Sequence, residues 1–453
     1  MTSQPSSFSW LQIVRLGLVQ TALGAVIVLM TSTINRVMVV ELALPALVPG
    51  ALVALHYAAQ VLRPRWGYGS DIGGRRTPWI VGGMAALCLG GFGAAVATAL
   101  AETSLSAGLT LAVAAFLLVG MGAGAAGTNL LVLLATGVES SRRGAAATIV
   151  WVMMIAGFAV TAPLAGHFLD PFSGLRLVTV SGTVSLVAFA VAALAVIGLE
   201  PHRPAASPPQ QTEKPPFRAV LAQVLAEPAA RRFTVFIFVS MLAYSAQELI
   251  LEPYAGLVFA MSPGATTKLA GLQHGGVLAG MLMVAGITVF VGGPILGSLK
   301  VWTAIGCALS ALALGAIALG GPIGPEFPLR AAVAALGFGN GVYAVAAIGS
   351  MMALAGRGGE AERGTRMGVW GAAQGVAFGA GGFLGTLAVD LARLVATEPV
   401  TAYAVVFAAE GVLFIVAMLI ALRVEHASVG RRANPLTQTA SFHLTPVSTR
   451  GSP

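Results

Sequence analysis

Charge is scarce in this 453-residue sequence: 9% of its residues are Asp, Glu, Lys or Arg, 57% are hydrophobic, and the mean hydropathy is +0.87. So few charges cannot cover a globule of this size with a wettable surface, which excludes a soluble protein and makes hydrocarbon the solvent. Cysteine is limited to Cys88 and Cys307, each deep in an apolar run. A disulfide framework and cysteine metal-cluster spacing are therefore absent, and both thiols are expected as small core residues. Only three Asp occur, Asp71, Asp170 and Asp390, in separate loops and span ends, and they cannot form an Asp-rich diphosphate site. None of the three lysines, Lys214, Lys268 and Lys300, follows a glycine in a Walker pattern, so any transport is expected to be passive or ion-coupled. Polar Met1 to Trp10 lacks a small-residue cleavage pattern, and the first span is expected to be its own insertion signal.

What is present is a series of apolar runs about the length a helix needs to cross hydrocarbon. They lie near 13 to 33, 43 to 62, 78 to 100, 109 to 135, 145 to 168 and 177 to 198, then 232 to 251, 275 to 298, 301 to 320, 329 to 355, 366 to 392 and 401 to 422. Only helices satisfy every backbone group in such a setting, so the expectation is an all-α integral membrane protein with twelve transmembrane helices. With both termini cytoplasmic, only Arg36, Arg176, Lys268, Arg330 and Arg393 of the 25 Lys and Arg fall outside, a bias that supports the even count. The net charge of +8 is spread through short loops rather than gathered on one face, which argues against a nucleic-acid partner.

The chain divides into a six-helix half at 1–198, a Pro-rich cytoplasmic linker at 199–230, a second six-helix half at 231–423 and a cytoplasmic tail at 424–453 expected to be disordered. An internal repeat supports the division. Gly120, Gly122 and Gly124 recur as Gly337, Gly339 and Gly341, 217 residues on, and Arg143-Gly144 recurs as Arg363-Gly364, 220 residues on. Gly122, Gly124 and Gly127 also spell a dinucleotide-type pattern, but mid-membrane they read as small residues that let helices approach.

Between the second and third spans, Gly67, Asp71, Gly74, Arg75 and Arg76 resemble the signature loop of the major facilitator superfamily, with Ile72 where that loop usually has a basic residue. A narrower resemblance, to the PucC and LhaA group of bacteriochlorophyll delivery proteins, rests on four segments. These are Asn35-Arg36-Val37-Met38-Val39-Val40-Glu41-Leu42, Arg63-Pro64, Gly69 through Pro78, and Ala246-Gln247-Glu248-Leu249-Ile250-Leu251-Glu252-Pro253-Tyr254-Ala255-Gly256. In the last, Glu248 stands where Asp is commoner and Tyr254 where Phe is commoner. The resemblance implies a major-facilitator-like fold and a non-enzymatic assembly factor of a bacterial inner, intracytoplasmic photosynthetic membrane. Its implied cargo is bacteriochlorophyll, and its implied partners are light-harvesting polypeptides, bacteriochlorophyll synthase and membrane lipid.

Ionisable residues at membrane depth usually mark a pathway or a partner. Glu248 and Glu252 share a helical face, and Pro253 is expected to break the seventh helix at its acidic outer end. Arg36 is expected at the depth of Glu252, either paired with it as an outer gate or reaching the headgroups. Gln247, Asn129, Asn340 and Gln374 are candidates for lining the same cavity. Glu410, in the twelfth span, is either a partner or pigment contact or a protonated acid bonded to a neighbouring helix. His56, His167 and His274 are either packing residues or ligands for the magnesium of a chlorin. Two alternatives to pigment delivery stay open: a proton-coupled small-molecule transporter and a pigment-free assembly scaffold.

Overall fold

A computed structural model describes residues 7–63, 66, 75–139, 142–200, 226–293, 295–355, 360–396 and 398–423. Gly67 to Gly74, most of the linker and the tail 424–453 lie outside the described residues, and so do the signature-loop expectations for Gly67, Asp71 and Gly74. The first half comprises α1 (Trp10–Val40), α2 (Leu47–Ala59), α3 (Thr77–Ala101), α4 (Leu105–Gly137), α5 (Arg143–Leu169) and α6 (Gly174–Val196). The second comprises α7 (Pro228–Phe259), α8 (Pro263–Phe290), α9 (Leu299–Gly320), α10 (Leu329–Ala355), α11 (Glu360–Val395) and α12 (Pro399–Arg423). Eleven of these are long and apolar enough to cross a membrane, and α2, at 13 residues, is the shorter twelfth. Leu89, Leu164, Leu186, Leu312 and Leu319 point outward from the bundle, as lipid-facing residues must.

Both boundaries of α7 and both of α8 differ from hydropathy. α7 begins at Pro228, where proline's missing N–H costs nothing in a first turn, and so takes the end of the expected linker. α8 begins at Pro263, capped by the Ser262 hydroxyl, because Thr266, Thr267, Lys268 and His274 are helical although they depress hydropathy; it stops before Gly292 and Gly293, whose φ angles are 63° and 87°. The largest correction is α7, which runs through Pro253 as one helix to Phe259 instead of breaking there.

The pairs in contact repeat between the halves. In the first half α3 packs on α4, α1 on α5 and α6, α3 on α6 and α2 on α4; adding six to each label gives the corresponding pairs of the second half. The glycine repeat explains part of this. A β-carbon at Gly120 would lie 2.3 Å from the His56 carbonyl oxygen of α2, and one at Gly337 2.0 Å from that of Gln273 in α8. Gly122 and Gly339 meet α3 and α9 in the same way. These glycines are points of backbone contact between helices; of the three expected to allow close approach, Gly122 does so, whereas Gly124 meets only side chains at 3.5 Å and Gly127 has nothing within 4 Å.

Across the halves α2 packs on α11 and α5 on α8, while the last turns of α1 reach α7 and α8. Arg15 of α1 donates to the backbone carbonyls of Ala195 and Ile197, and Arg232 of α7 to that of Arg423, so the start of α1 and the end of α12 share one end of the bundle. We call this the proximal end and the opposite one distal.

Candidate functional site

The polar groups that cross between the halves concentrate in the distal part of the interface. α1 supplies the first of them through a local irregularity: Leu29–Ile34 is a π-helical segment, and it carries Thr31, Ser32 and Thr33, all buried. Such single-turn widenings recur at functional sites because they turn side chains away from the regular helical stripe. Thr33 Oγ1 lies 2.9 Å from Thr267 Oγ1 of α8.

Two residues on, Asn35 Nδ2 donates to the Leu249 carbonyl at 2.7 Å. Leu249 is the residue four before Pro253, so its carbonyl is the one that the proline leaves without a helical N–H. A side chain from the other half replaces the missing donor, which explains why α7 continues through the proline. Both motif segments are thereby joined: Asn35 to Leu42 meets Ala246 to Gly256, and Arg36 also lies against Gly256.

Arg36 forms its ion pair with Glu41, not with Glu252, and donates to the Met261 carbonyl at 2.8 Å. The expected gate is corrected accordingly. Glu41 is only five residues away and exposed, so it reaches the guanidinium from the distal surface, whereas Glu252 points into the interface. Glu252 is 2% exposed, lies beside the Ser32 and Thr266 hydroxyls, and has one carboxyl oxygen without a partner among the described residues.

One turn nearer the proximal end, Glu248 Oε1 lies 3.8 Å from His274 Nε2. His274 Nδ1 is 2.9 Å from the Ala270 carbonyl, the geometry of a donated hydrogen bond, and Phe158 meets the ring edge-on at 4.8 Å. The phenols of Tyr57 and Tyr244 lie within electrostatic reach of Glu248. Phe378 of α11 joins them, with ring centroids 5.6 Å from Tyr57 and 5.7 Å from Tyr244. The site is therefore two carboxyls, an imidazole and a row of hydroxyls, floored by aromatic rings from α2, α7 and α11.

The other sequence candidates separate by burial. Gln247 is fully buried with neither amide atom partnered among the described residues, and Gln374 reaches only the Met241 sulfur at 3.9 Å. Asn129 is fully buried and donates to the Ala125 carbonyl of its own helix, with its Oδ1 unpartnered among the described residues. Asn340 accepts from Ser310 at 2.8 Å and so ties α10 to α9 within one half. His56 bonds through Nε2 to Gln60 at 3.0 Å and is buried against α4, with Nδ1 unpartnered among the described residues. His274 is likewise engaged by protein groups, while His167 is exposed on the outside of α5. Glu410 faces into the bundle, 2% exposed, so a partner does not reach it in this conformation; neither carboxyl oxygen has a partner among the described residues. Arg75 is exposed at the proximal end, where the Arg76 amide donates to Glu200. Cys88 and Cys307 are free and buried.

Sequence reasoning missed Ser32, Thr266, Thr267, Tyr57, Tyr244 and Phe378. The run Thr31-Ser32-Thr33 inside an apolar span was the available signal for the first of these. Nothing local marked the three rings.

Twelve apolar helices among the described residues, in two repeated halves with their polar groups at the seam, define a membrane protein with the major-facilitator fold. Solved structures with this fold include a bacterial homologue of the human drug peptide transporters (TM-score 0.65, 18% identity, covering 91% of this chain and 97% of that one) and the nucleoside transporter NupG (TM-score 0.62, 16% identity, 91% and 99%). At such identities the likeness shows the fold alone. Within that class the chain belongs to the PUCC protein family, whose profile matches residues 33–429. It is 53% identical over 415 residues to the "Bacteriochlorophyll synthase 44.5 kDa chain" of Rhodobacter capsulatus, covering 92% of this chain and 95% of that protein. It is 29% identical over 398 residues to "Protein PucC" of Rhodovulum sulfidophilum, covering 84% and 86%. These relatives give the chain a role in the biogenesis of bacteriochlorophyll or of photosynthetic complexes.

Proposed function

We propose that this protein binds bacteriochlorophyll in the photosynthetic membrane and delivers it to light-harvesting polypeptides, without itself catalysing a reaction. The observation that carries the reading is the near full-length match to a chain named for bacteriochlorophyll synthase in a molecule whose fold is that of a transporter. Esterifying a pigment with an isoprenoid diphosphate needs clustered carboxylates to hold the metal-bound leaving group. Of the three Asp, Asp170 and Asp390 are engaged by backbone amides at the starts of α8 and α2, which supports a carrier acting beside a synthase.

Both termini lie on the cytoplasmic side in this reading, and the intracytoplasmic membrane is the site of action. Arg75, Arg142, Arg143, Arg231 and Arg232 stand near the proximal ends of their helices, the placement expected of cytoplasmic basic residues.

The test is gentle purification from a phototrophic host, with the absorption spectrum recorded beside immunodetection of antenna polypeptides. A chlorin band that travels with the protein, and antenna complexes that fall when the gene is deleted, are the expected results. A colourless protein whose reconstituted vesicles show proton-driven flux of a small solute would replace this reading with that of a coupled transporter. A colourless protein that still retains antenna polypeptides would make it a scaffold.

A further inference from the structure

We propose that the groove on the outer side of α1, α5 and α6 is the seat of the pigment, with His167 as the axial ligand to its magnesium. This rests on the pigment-binding reading above and gives it an address.

The groove measures about 940 Å³, near the upper limit for small-molecule sites. Its floor is made of small residues, Ala22 and Ala25 of α1 with Ala165 and Ala188, so a flat ring can come close to the helices. Leu164, Phe168 and Val187 stand as walls, each more than half exposed to what would be hydrocarbon.

The ionisable side chains are confined to the distal end, where His167, Asp170 and Arg176 line the groove together with Ser173. Toward the proximal end it passes through Thr179 and Thr183 to Val184, Val187 and Val191. This gradient fits an amphiphile with a polar, metal-bearing ring and a hydrocarbon tail. The Asp170 carboxylate is occupied by Ser262 and the Gly264 amide, so it is not free to compete for the metal. Arg176 donates through Nη1 to the Asp170 carbonyl at 2.6 Å, leaving its other N–H groups for ester and keto oxygens at the ring edge.

His167 differs from the other two histidines in its spans. His56 and His274 are buried and each is bonded to a protein group through one ring nitrogen, whereas the His167 ring is exposed and has no hydrogen bond among the described residues, its ring set edge-on to Phe168 at 5.2 Å. Its ring nitrogens are therefore free of protein partners among the described residues and available to a metal with an open axial position. The same helix packs its opposite face on α8, where a β-carbon at Gly166 would lie 2.6 Å from the Gly264 carbonyl. The groove therefore adjoins the interface between the halves without being part of it.

The experiment titrates the protein in lipid nanodiscs with bacteriochlorophyll and, in parallel, with bacteriopheophytin, in which two protons replace the magnesium. His167→Ala is expected to weaken bacteriochlorophyll binding about tenfold or more while leaving the metal-free pigment unaffected, and added imidazole restores the loss. Val187→Trp, which fills the groove but leaves the ligand in place, weakens both pigments. If the wild-type protein binds bacteriochlorophyll and either variant binds it as well as the parent, the groove is overturned as the site and the delivery reading stands. Equal binding of both pigments by the wild type, displaced by phosphatidylglycerol, makes the groove a lipid seat and overturns the proposal. No pigment bound by the wild type under any condition sinks both readings.

Discussion

Asp170 and Asp390 stand 220 residues apart and perform the same task in opposite halves. Asp170, just past α5, accepts from the Gly264 amide at 3.2 Å and the Ser262 hydroxyl at 2.9 Å, at the start of α8. Asp390, near the end of α11, accepts from the Ala46 and Leu47 amides at 3.1 and 2.7 Å, at the start of α2. Each carboxylate satisfies orphan amides and meets the positive end of a helix dipole in the other half. Two symmetry-related links, which we call latches, thus join the halves at the distal end.

Removing both latches should release that end. Each cap contributes about 1 kcal/mol, so Asp170→Ala with Asp390→Ala should raise the open fraction about tenfold or more. Spin labels at exposed Thr103 and Glu326, at the distal ends of α3 and α9, report it as a longer distance component. Unchanged distance distributions would show that the latches do not hold the closure.

The Asn35 to Leu249 bond predicts a conditional effect. Asn35→Ala alone should cost about 1 kcal/mol, because it strands the carbonyl that Pro253 cannot serve. In a Pro253→Ala background the helix supplies its own N–H, and the same substitution should cost much less. A double-mutant cycle on unfolding midpoints measures the coupling, and additive losses would disprove the replacement of one donor by the other.

Gly337→Ala should be poorly tolerated, since the added carbon meets backbone at 2.0 Å that no side-chain rotation can clear. A loss of about 1–3 kcal/mol is expected, visible as a lower melting temperature in detergent. Gly127→Ala is the control: open space surrounds that position, and the variant should match or exceed the parent. Equal melting of all three proteins would contradict the tight approach of α10 and α8.

Glu200, at the start of the linker, accepts from the Arg76 amide, the Thr77 amide and the Thr77 hydroxyl at 2.8 to 2.9 Å, and so caps α3 at the proximal end. Glu200→Ala should cost about 1 kcal/mol and speed hydrogen exchange at the Arg76 and Thr77 amides, with Glu200→Gln intermediate. Exchange that stays at the parent rate in Glu200→Ala would remove the cap from the account.

Hydropathy was enough to read the fold class of this protein and its series of apolar helices. It is a sum over local stretches, and twenty apolar residues act alike whatever packs against them. The quoted motif segments also identified the chain's family before any coordinates. What only the tertiary structure decided is which way each polar side chain turns about its helix axis and what meets it there. Arg36 takes Glu41 instead of Glu252, α7 survives Pro253 because Asn35 of another helix supplies a donor, Glu410 turns inward, and His167 alone of the three histidines faces a groove. Those outcomes depend on helices that lie far away in the chain and adjacent in space, and burial and pairing are properties of that adjacency.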